Sequence, residues 1–211
     1  MIAIIDYGMG NLHSVQKAIE EVGAVATITH EEAQIISADK VVLPGVGAML
    51  PAMKQIESLG IAPAIKKFIK QKRPFLGICL GFQLLFEIGF EGGRVTGLGI
   101  LPGHVIKFST KPMNNTATEQ SPLKIPHMGW NQIQITRGDC PLFRDIQSPS
   151  YVYFCHSYYA QPFHSTAVAA TSFYGNDFCA SLWQDNIFGV QFHPEKSQAV
   201  GLQILKNFVE I

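Results

Sequence analysis

The sequence predicts an α/β fold: a single domain on a mixed, mostly parallel sheet flanked by helices, with later strands running antiparallel. Two observations carry this. In the first half, short and largely apolar runs at residues 1–5, 25–29, 40–43 and 75–79 alternate with amphipathic helical stretches. Strands that are apolar on both faces belong to a parallel sheet covered by helices on each side. In the second half, runs at residues 151–154, 167–171, 179–183 and 187–192 show the alternation of antiparallel strands. No repeat or linker divides the chain, so residues 1–211 form one domain. The length, 211 residues with 47% hydrophobic and 15% charged, suits such a domain and excludes disorder.

Taken in order, the first run ends at Asp6 and the turn residues Gly8 and Gly10. Asn11 reads as a helix N-cap, and Leu12, Val15, Ala18, Ile19 and Val22 follow at helical spacing until Gly23 stops them. The strand at 40–43 is punctuated by Pro44-Gly45-Val46-Gly47, and an amphipathic stretch at 61–72 ends before Pro74. After the strand at 75–79, Leu84, Leu85 and Ile88 fall on one side of a helical run. Residues 94–135 are short runs punctuated by Gly and Pro, and the polar tract 109–121 reads as a mobile surface loop. A last helix covers about 199–209.

Lys and Arg together number 16, as do Asp and Glu, so the formal net charge is zero. No global field and no basic run directs the chain to nucleic acid or an anionic membrane. The four cysteines show no C-x-x-C pairing and no zinc spacing, and neither a secretory leader nor a membrane-length apolar run appears. A cytoplasmic location with reduced thiols is the default expectation, with no metal and no cofactor.

Three segments carry chemistry. Gly77-Ile78-Cys79-Leu80-Gly81 follows an apolar strand and precedes a helical run, the logic of a nucleophile elbow with Cys79 at its tip. A lone cysteine beside glycines is more often a packing residue. The segment Gln191-Phe192-His193-Pro194-Glu195 shifts that balance. Pro194 keeps the chain extended, and residues two apart in an extended chain share a side, so the Glu195 carboxylate can orient the His193 ring. Pro44-Gly45-Val46-Gly47 can offer a free backbone N–H, that of Val46, to an oxyanion, with the Leu80 amide as second donor. Its plain alternative is a strand-to-helix turn.

With these motifs in view, the chain resembles the class I glutamine amidotransferases, whose fold is flavodoxin-like. Gly77-Ile78-Cys79-Leu80-Gly81-Phe82-Gln83 and His193-Pro194-Glu195 carry the resemblance. Within that class, four further stretches are similar to the glutaminase subunits of imidazole glycerol phosphate synthases. They are residues 5–12, the Pro44–Gly47 loop, Pro126-His127-Met128-Gly129-Trp130-Asn131, and Phe154-Cys155-His156-Ser157-Tyr158. The likeness runs nearly end to end and is weakest over 109–121. It implies hydrolysis of glutamine by a Cys79, His193 and Glu195 triad, with Gly45, Gly47, Gln83, His156, Ser157 and Tyr158 around the substrate. It also implies a heterodimer with a (β/α)8-barrel cyclase that takes up the ammonia to make imidazole glycerol phosphate and an aminoimidazole carboxamide ribotide in histidine biosynthesis. Asn11, Trp130, Tyr153 and Lys196 match positions near that interface. Core packing is the alternative for Trp130, and solvent for Lys196. Phe82, Met49 and Cys155 depart from the family pattern but remain apolar.

Alternatives of other classes are a paralogous subunit serving a surface-sugar synthase, a peptidase-like hydrolase on the same fold, and a binding subunit without activity. The peptidase-like reading expects a histidine just after the elbow, where Gly81 and Phe82 stand. From Val46 lying between two glycines, the oxyanion peptide is expected to be misoriented in the isolated chain and to turn when the partner binds.

Overall fold

The computed structural model describes residues 1–110 and 122–211, so the polar tract at 109–121 lies mostly outside the described residues. The first half alternates as expected from its apolar runs: β1 (Ile2–Ile5), α1 (Leu12–Glu21), β2 (Ala26–Thr29), α2 (Glu32–Ser37), β3 (Lys40–Leu43), α3 (Met49–Ser58), α4 (Ala62–Lys70) and β4 (Phe75–Ile78). A one-turn α5 (Leu80–Gln83) follows, then β5 (Phe86–Gly89), β6 (Val95–Thr96), β7 (Leu101–Lys107) and β8 (His127–Ile135). The chain continues through β9 (Ser150–His156), β10 (Tyr158–Pro162), β11 (Val168–Phe173), β12 (Asp177–Gln184), β13 (Ile187–Val190) and α6 (Gln198–Glu210).

Among the described residues, nine strands form the main sheet in the order β2-β1-β3-β4-β13-β12-β11-β8-β9. From β2 to β13 neighbours are parallel; from β13 to β9 they are antiparallel. The apolar runs explain the parallel half. Ala3, Ile5, Val41, Leu43 and Phe75 face a core shared with α2, α3 and α4. Ile2, Ile4, Val42, Leu76 and Ile78 face the opposite core with α1 and α6. β1 and β4 are buried along their whole length and β3 from Val41 onward, so no polar alternation is left in their sequences, while the edge strand β2 is only half-buried at Thr27 and Ile28. A second sheet, β10-β7-β5-β6, adds Phe86, Val95, Leu101 and Val105 to the first core. No helix among the described residues is long and apolar enough to cross a membrane.

Two expectations are corrected and one is refined. The helical run over Leu84, Leu85 and Ile88 is absent: α5 ends at Gln83, and Phe86–Gly89 is a strand paired with β6 and β7. Leu84, Leu85 and Phe86 are all fully buried, and consecutive apolar residues do not discriminate a buried helix from a strand. Asn11 does stand at the N-cap of α1, its carbonyl accepting from Val15 at 3.3 Å, but its side chain makes no capping hydrogen bond. Finally, the chain is not extended beyond His193. Pro194–Lys196 forms a single 3-10 turn, which proline tolerates at a first helical position because it has no N–H to leave unpaired.

The topology sets two chain segments side by side. β4 and β13 are parallel neighbours with Ile78 opposite Val190, and the Cys79 amide donates to the Val190 carbonyl at 2.8 Å. A two-residue turn, Asp185-Asn186, returns the chain from β12 into β13. The Asn186 amide locks that turn by donating to the Ile69 and Arg73 carbonyls at 3.0 and 2.7 Å. The elbow is pressed equally close to β3. A Cβ added at Gly81 would lie 1.8 Å from the Leu43 carbonyl oxygen, so only glycine lets α5 sit there. Gly81→Ala is expected to lower unfolding free energy by about 1–3 kcal/mol through overpacking. Urea denaturation reads this directly, and an unchanged midpoint would contradict the close approach.

Candidate active site

Cys79, His193 and the Pro44–Gly47 loop all lie just beyond the carboxyl ends of parallel strands, where α/β sheets place their ligands. Cys79 has φ 53° and ψ −108°, a backbone conformation that side chains rarely adopt. The strained turn holds the sulfur at the wall of a cavity of about 420 Å³ that His193, Gln83, Glu91, Ser157, Tyr158 and Lys196 also line. Because α5 is one turn long, its dipole offers the sulfur less than a full helix would. Discrete donors around the sulfur therefore count for more.

The His193 and Glu195 side chains are both buried, and Nδ1 lies 2.8 Å from Glu195 Oε1. A carboxylate only accepts, so Nδ1 carries the proton, and Nε2 is left to engage Cys79, whose sulfur donates to the Cys155 carbonyl at 3.9 Å. Burial works against a charged His193 ring. The Cys79 charge and hydrogen bond, together with Glu195, override burial and raise its pKa to about 10. Glu195 Oε2 is buried without a hydrogen-bond partner among the described residues. The His193 amide donates to the Tyr153 carbonyl at 2.9 Å, which ties the ring's backbone to β9.

The two expected oxyanion donors are not assembled. The Leu80 amide donates to the Gly45 carbonyl at 3.3 Å. In a planar trans peptide the carbonyl and N–H point oppositely, so the Gly45–Val46 peptide turns its oxygen, not the Val46 N–H, toward Leu80. Tyr7, which the motif reading missed, anchors this loop. Its buried hydroxyl donates to the Pro44 carbonyl at 2.9 Å, and a Cβ at Gly45 would fall 2.0 Å from it. Burial, then the Cys79 charge, push the Tyr7 phenol well above its usual range, so it stays a donor.

Among the expected substrate residues, Gly47, Gln83, His156, Ser157 and Tyr158 line the cavity, whereas Gly45 lies buried beneath Tyr7 and Leu80. His156 contributes a wall rather than a ligand. Its Nδ1 donates to the Tyr158 carbonyl at 2.8 Å and its Nε2 accepts from His127 Nδ1 at 2.9 Å. Burial drives the His156 pKa down to about 3 and that of His127 to about 4, so both rings are neutral near pH 7. Gln83 donates to the Tyr158 carbonyl at 2.8 Å and to Gln191 Oε1 at 3.0 Å. Only its oxygen is left for a substrate.

Among the expected interface residues, Trp130 and Tyr153 are cross-strand partners on β8 and β9 with ring centroids 6.2 Å apart. Lys196 Nζ sits 5.8 Å from the Tyr153 ring centroid. Trp130 is 46% exposed, which excludes core packing for it, and Met128 and Tyr151 are exposed close by. Asn11 is exposed beside Gly10, which abuts the Pro44–Gly47 loop. Glu91 was also missed. It sits in the turn Phe90-Glu91-Gly92-Gly93, accepts the Met49 amide at 2.8 Å and lines the cavity. A carboxylate beside two glycines was the available signal.

Residues 3–211 match the family model described as glutamine amidotransferase class-I. The chain is 53% identical to the imidazole glycerol phosphate synthase subunit HisH of Geobacter metallireducens over 207 residues, 98% of this chain and 96% of that one. It is 52% identical to the same subunit of Syntrophotalea carbinolica, covering 99% and 98% respectively. A solved structure described as a glutamine amidotransferase superposes with a TM-score of 0.73 at 15% identity, covering 100% of this chain and 98% of that one. One of PurLQS from Thermotoga maritima gives 0.71 at 17%, covering 99% and 95%; at such identities these two speak for the fold alone. The chain belongs to the class-I glutamine amidotransferases and, within them, to the family of imidazole glycerol phosphate synthase subunits HisH.

Proposed function

We propose that this chain hydrolyses the side-chain amide of glutamine through Cys79, His193 and Glu195 and delivers the ammonia to a (β/α)8-barrel cyclase in histidine biosynthesis. The observation that carries the reading is the buried relay of thiol, imidazole and carboxylate at the wall of one cavity. The Cys79 thiolate attacks the amide carbon, and the carbonyl oxygen takes up the negative charge. His193, holding the proton on Nε2, gives it to the departing nitrogen, which leaves as ammonia and a γ-glutamyl thioester on Cys79. His193 then accepts a proton from water, whose oxygen attacks the thioester, and glutamate and the free thiol are restored. Glu195 fixes the ring's tautomer and balances the imidazolium.

Val46 and Leu80 supply the oxyanion donors once the Gly45–Val46 peptide has turned. Gly47, Ser157, Tyr158 and the Gln83 oxygen surround the substrate, and Glu91 is placed to pair with its α-ammonium group. The partner docks on the row of exposed Trp130, half-buried Tyr153 and exposed Lys196, with Asn11 at its margin. Ammonia released into water near neutral pH would be protonated and lost as a nucleophile, which gives a sealed interface its chemical purpose. A glutamine-like diazoketone tests the reading. With the cyclase present it is expected to label Cys79 stoichiometrically and to abolish glutamine-dependent, but not ammonia-dependent, product formation. Absence of label on Cys79 would defeat it.

A further inference from the structure

Gln191 is fully buried at the end of β13, between apolar neighbours, and no part of the mechanism above uses it. Its Nε2 lies 3.7 Å from Cys79 Sγ, within hydrogen-bonding range of a sulfur. Which end of a carboxamide faces a given atom must be decided from its partners, and here they decide it. The Tyr158 carbonyl can only accept, so Gln83 must present its nitrogen to it, at 2.8 Å. The second hydrogen of that nitrogen reaches Gln191 at 3.0 Å, so Gln191 must present its oxygen to Gln83 and its N–H to the sulfur. His156 Nδ1 donates to the same Tyr158 carbonyl at 2.8 Å, and both of that oxygen's lone pairs are engaged.

We propose that Gln191 is a catalytic residue whose side-chain N–H, aimed by Gln83 and the Tyr158 carbonyl, cradles the Cys79 sulfur in its anionic form. The inference deepens the glutaminase reading and rests on it. It also supplies what the short α5 cannot, a fixed dipole at the nucleophile. The other titratable or charged groups around the sulfur are His193 with Glu195 behind it, Tyr7, His156, Cys155, whose carbonyl accepts from the thiol at 3.9 Å, and Tyr158, Lys196 and Glu91 around the cavity. A change confined to Gln191 leaves all of them in place.

The test follows iodoacetamide alkylation of Cys79 in the full chain against pH. Gln191→Met keeps the length and removes the donor. The pH of half-maximal rate is expected to rise by about one unit, and alkylation at neutral pH to slow about tenfold, on loss of a hydrogen bond to a charged group. In the unmutated chain the Gln191 side-chain amide resonance should move as Cys79 ionises, and stop moving in Cys79→Ala. This second measurement needs no variant of Gln191 that might fail to fold. A wild-type pH profile in Gln191→Met, or an amide signal indifferent to Cys79, overturns the inference while leaving the triad standing. Failure of the unmutated Cys79 to react at all would instead bring down the glutaminase reading.

Discussion

Cys79→Ala is expected to lower glutamine hydrolysis about 10⁴-fold or more, the scale seen when a nucleophile is removed from a triad that works as a unit. The magnitude follows from the geometry. His193 and Glu195 are both buried and joined at 2.8 Å, and the ring's raised pKa derives largely from the Cys79 charge and hydrogen bond. Removing the sulfur deletes the covalent route and also releases the imidazolium that protonates the leaving nitrogen. The same variant with its cyclase should still form product when ammonium replaces glutamine, which separates lost chemistry from lost folding. Steady-state glutamate release is the measurement, and a rate within tenfold of the unmutated chain would refute the triad.

The second large effect concerns activation. The chain alone is expected to turn over glutamine about 10²–10³-fold more slowly than the chain with its cyclase and that subunit's ligand, the cost of an absent oxyanion donor. Here the Leu80 N–H is occupied by the Gly45 carbonyl at 3.3 Å, so the hole presents an oxygen where negative charge must develop. Turning one peptide replaces that oxygen with the Val46 N–H and frees Leu80. Tyr7 pins the Pro44 carbonyl upstream, while Gly47, at φ 97°, absorbs the rotation downstream. Glutamine turnover with and without partner and ligand decides it, and equal rates would mean that the peptide does not gate the reaction.

Much of the candidate site was legible in the sequence because its signals are local. A glycine-bounded cysteine after an apolar strand, a His-Pro-Glu at a strand end and a Pro-Gly-x-Gly loop each encode backbone geometry within a few residues. The parallel half of the sheet was legible for a related reason, since burial on both faces writes itself as continuous apolarity. What escaped depends on distant pairing. Phe86–Gly89 becomes a strand because Leu101–Lys107 lies beside it. Tyr7 matters because Pro44 lies over it, and the roles of His156 and Gln83 change once His127 and Gln191 take up their polar atoms. Gln191 left one trace: a carboxamide inside the apolar run Phe188-Gly189-Val190-Gln191-Phe192, where an uncharged polar side chain must find partners.

Cys79 holds a backbone conformation that costs about 1–3 kcal/mol for a residue with a Cβ. Glycine would relieve it at once. Directed evolution scored only on melting temperature would therefore draw this position toward Cys79→Gly and reward the loss of the enzyme. Durability and reactivity compete for one residue, and any thermostabilised version must hold its cysteine by selection on turnover.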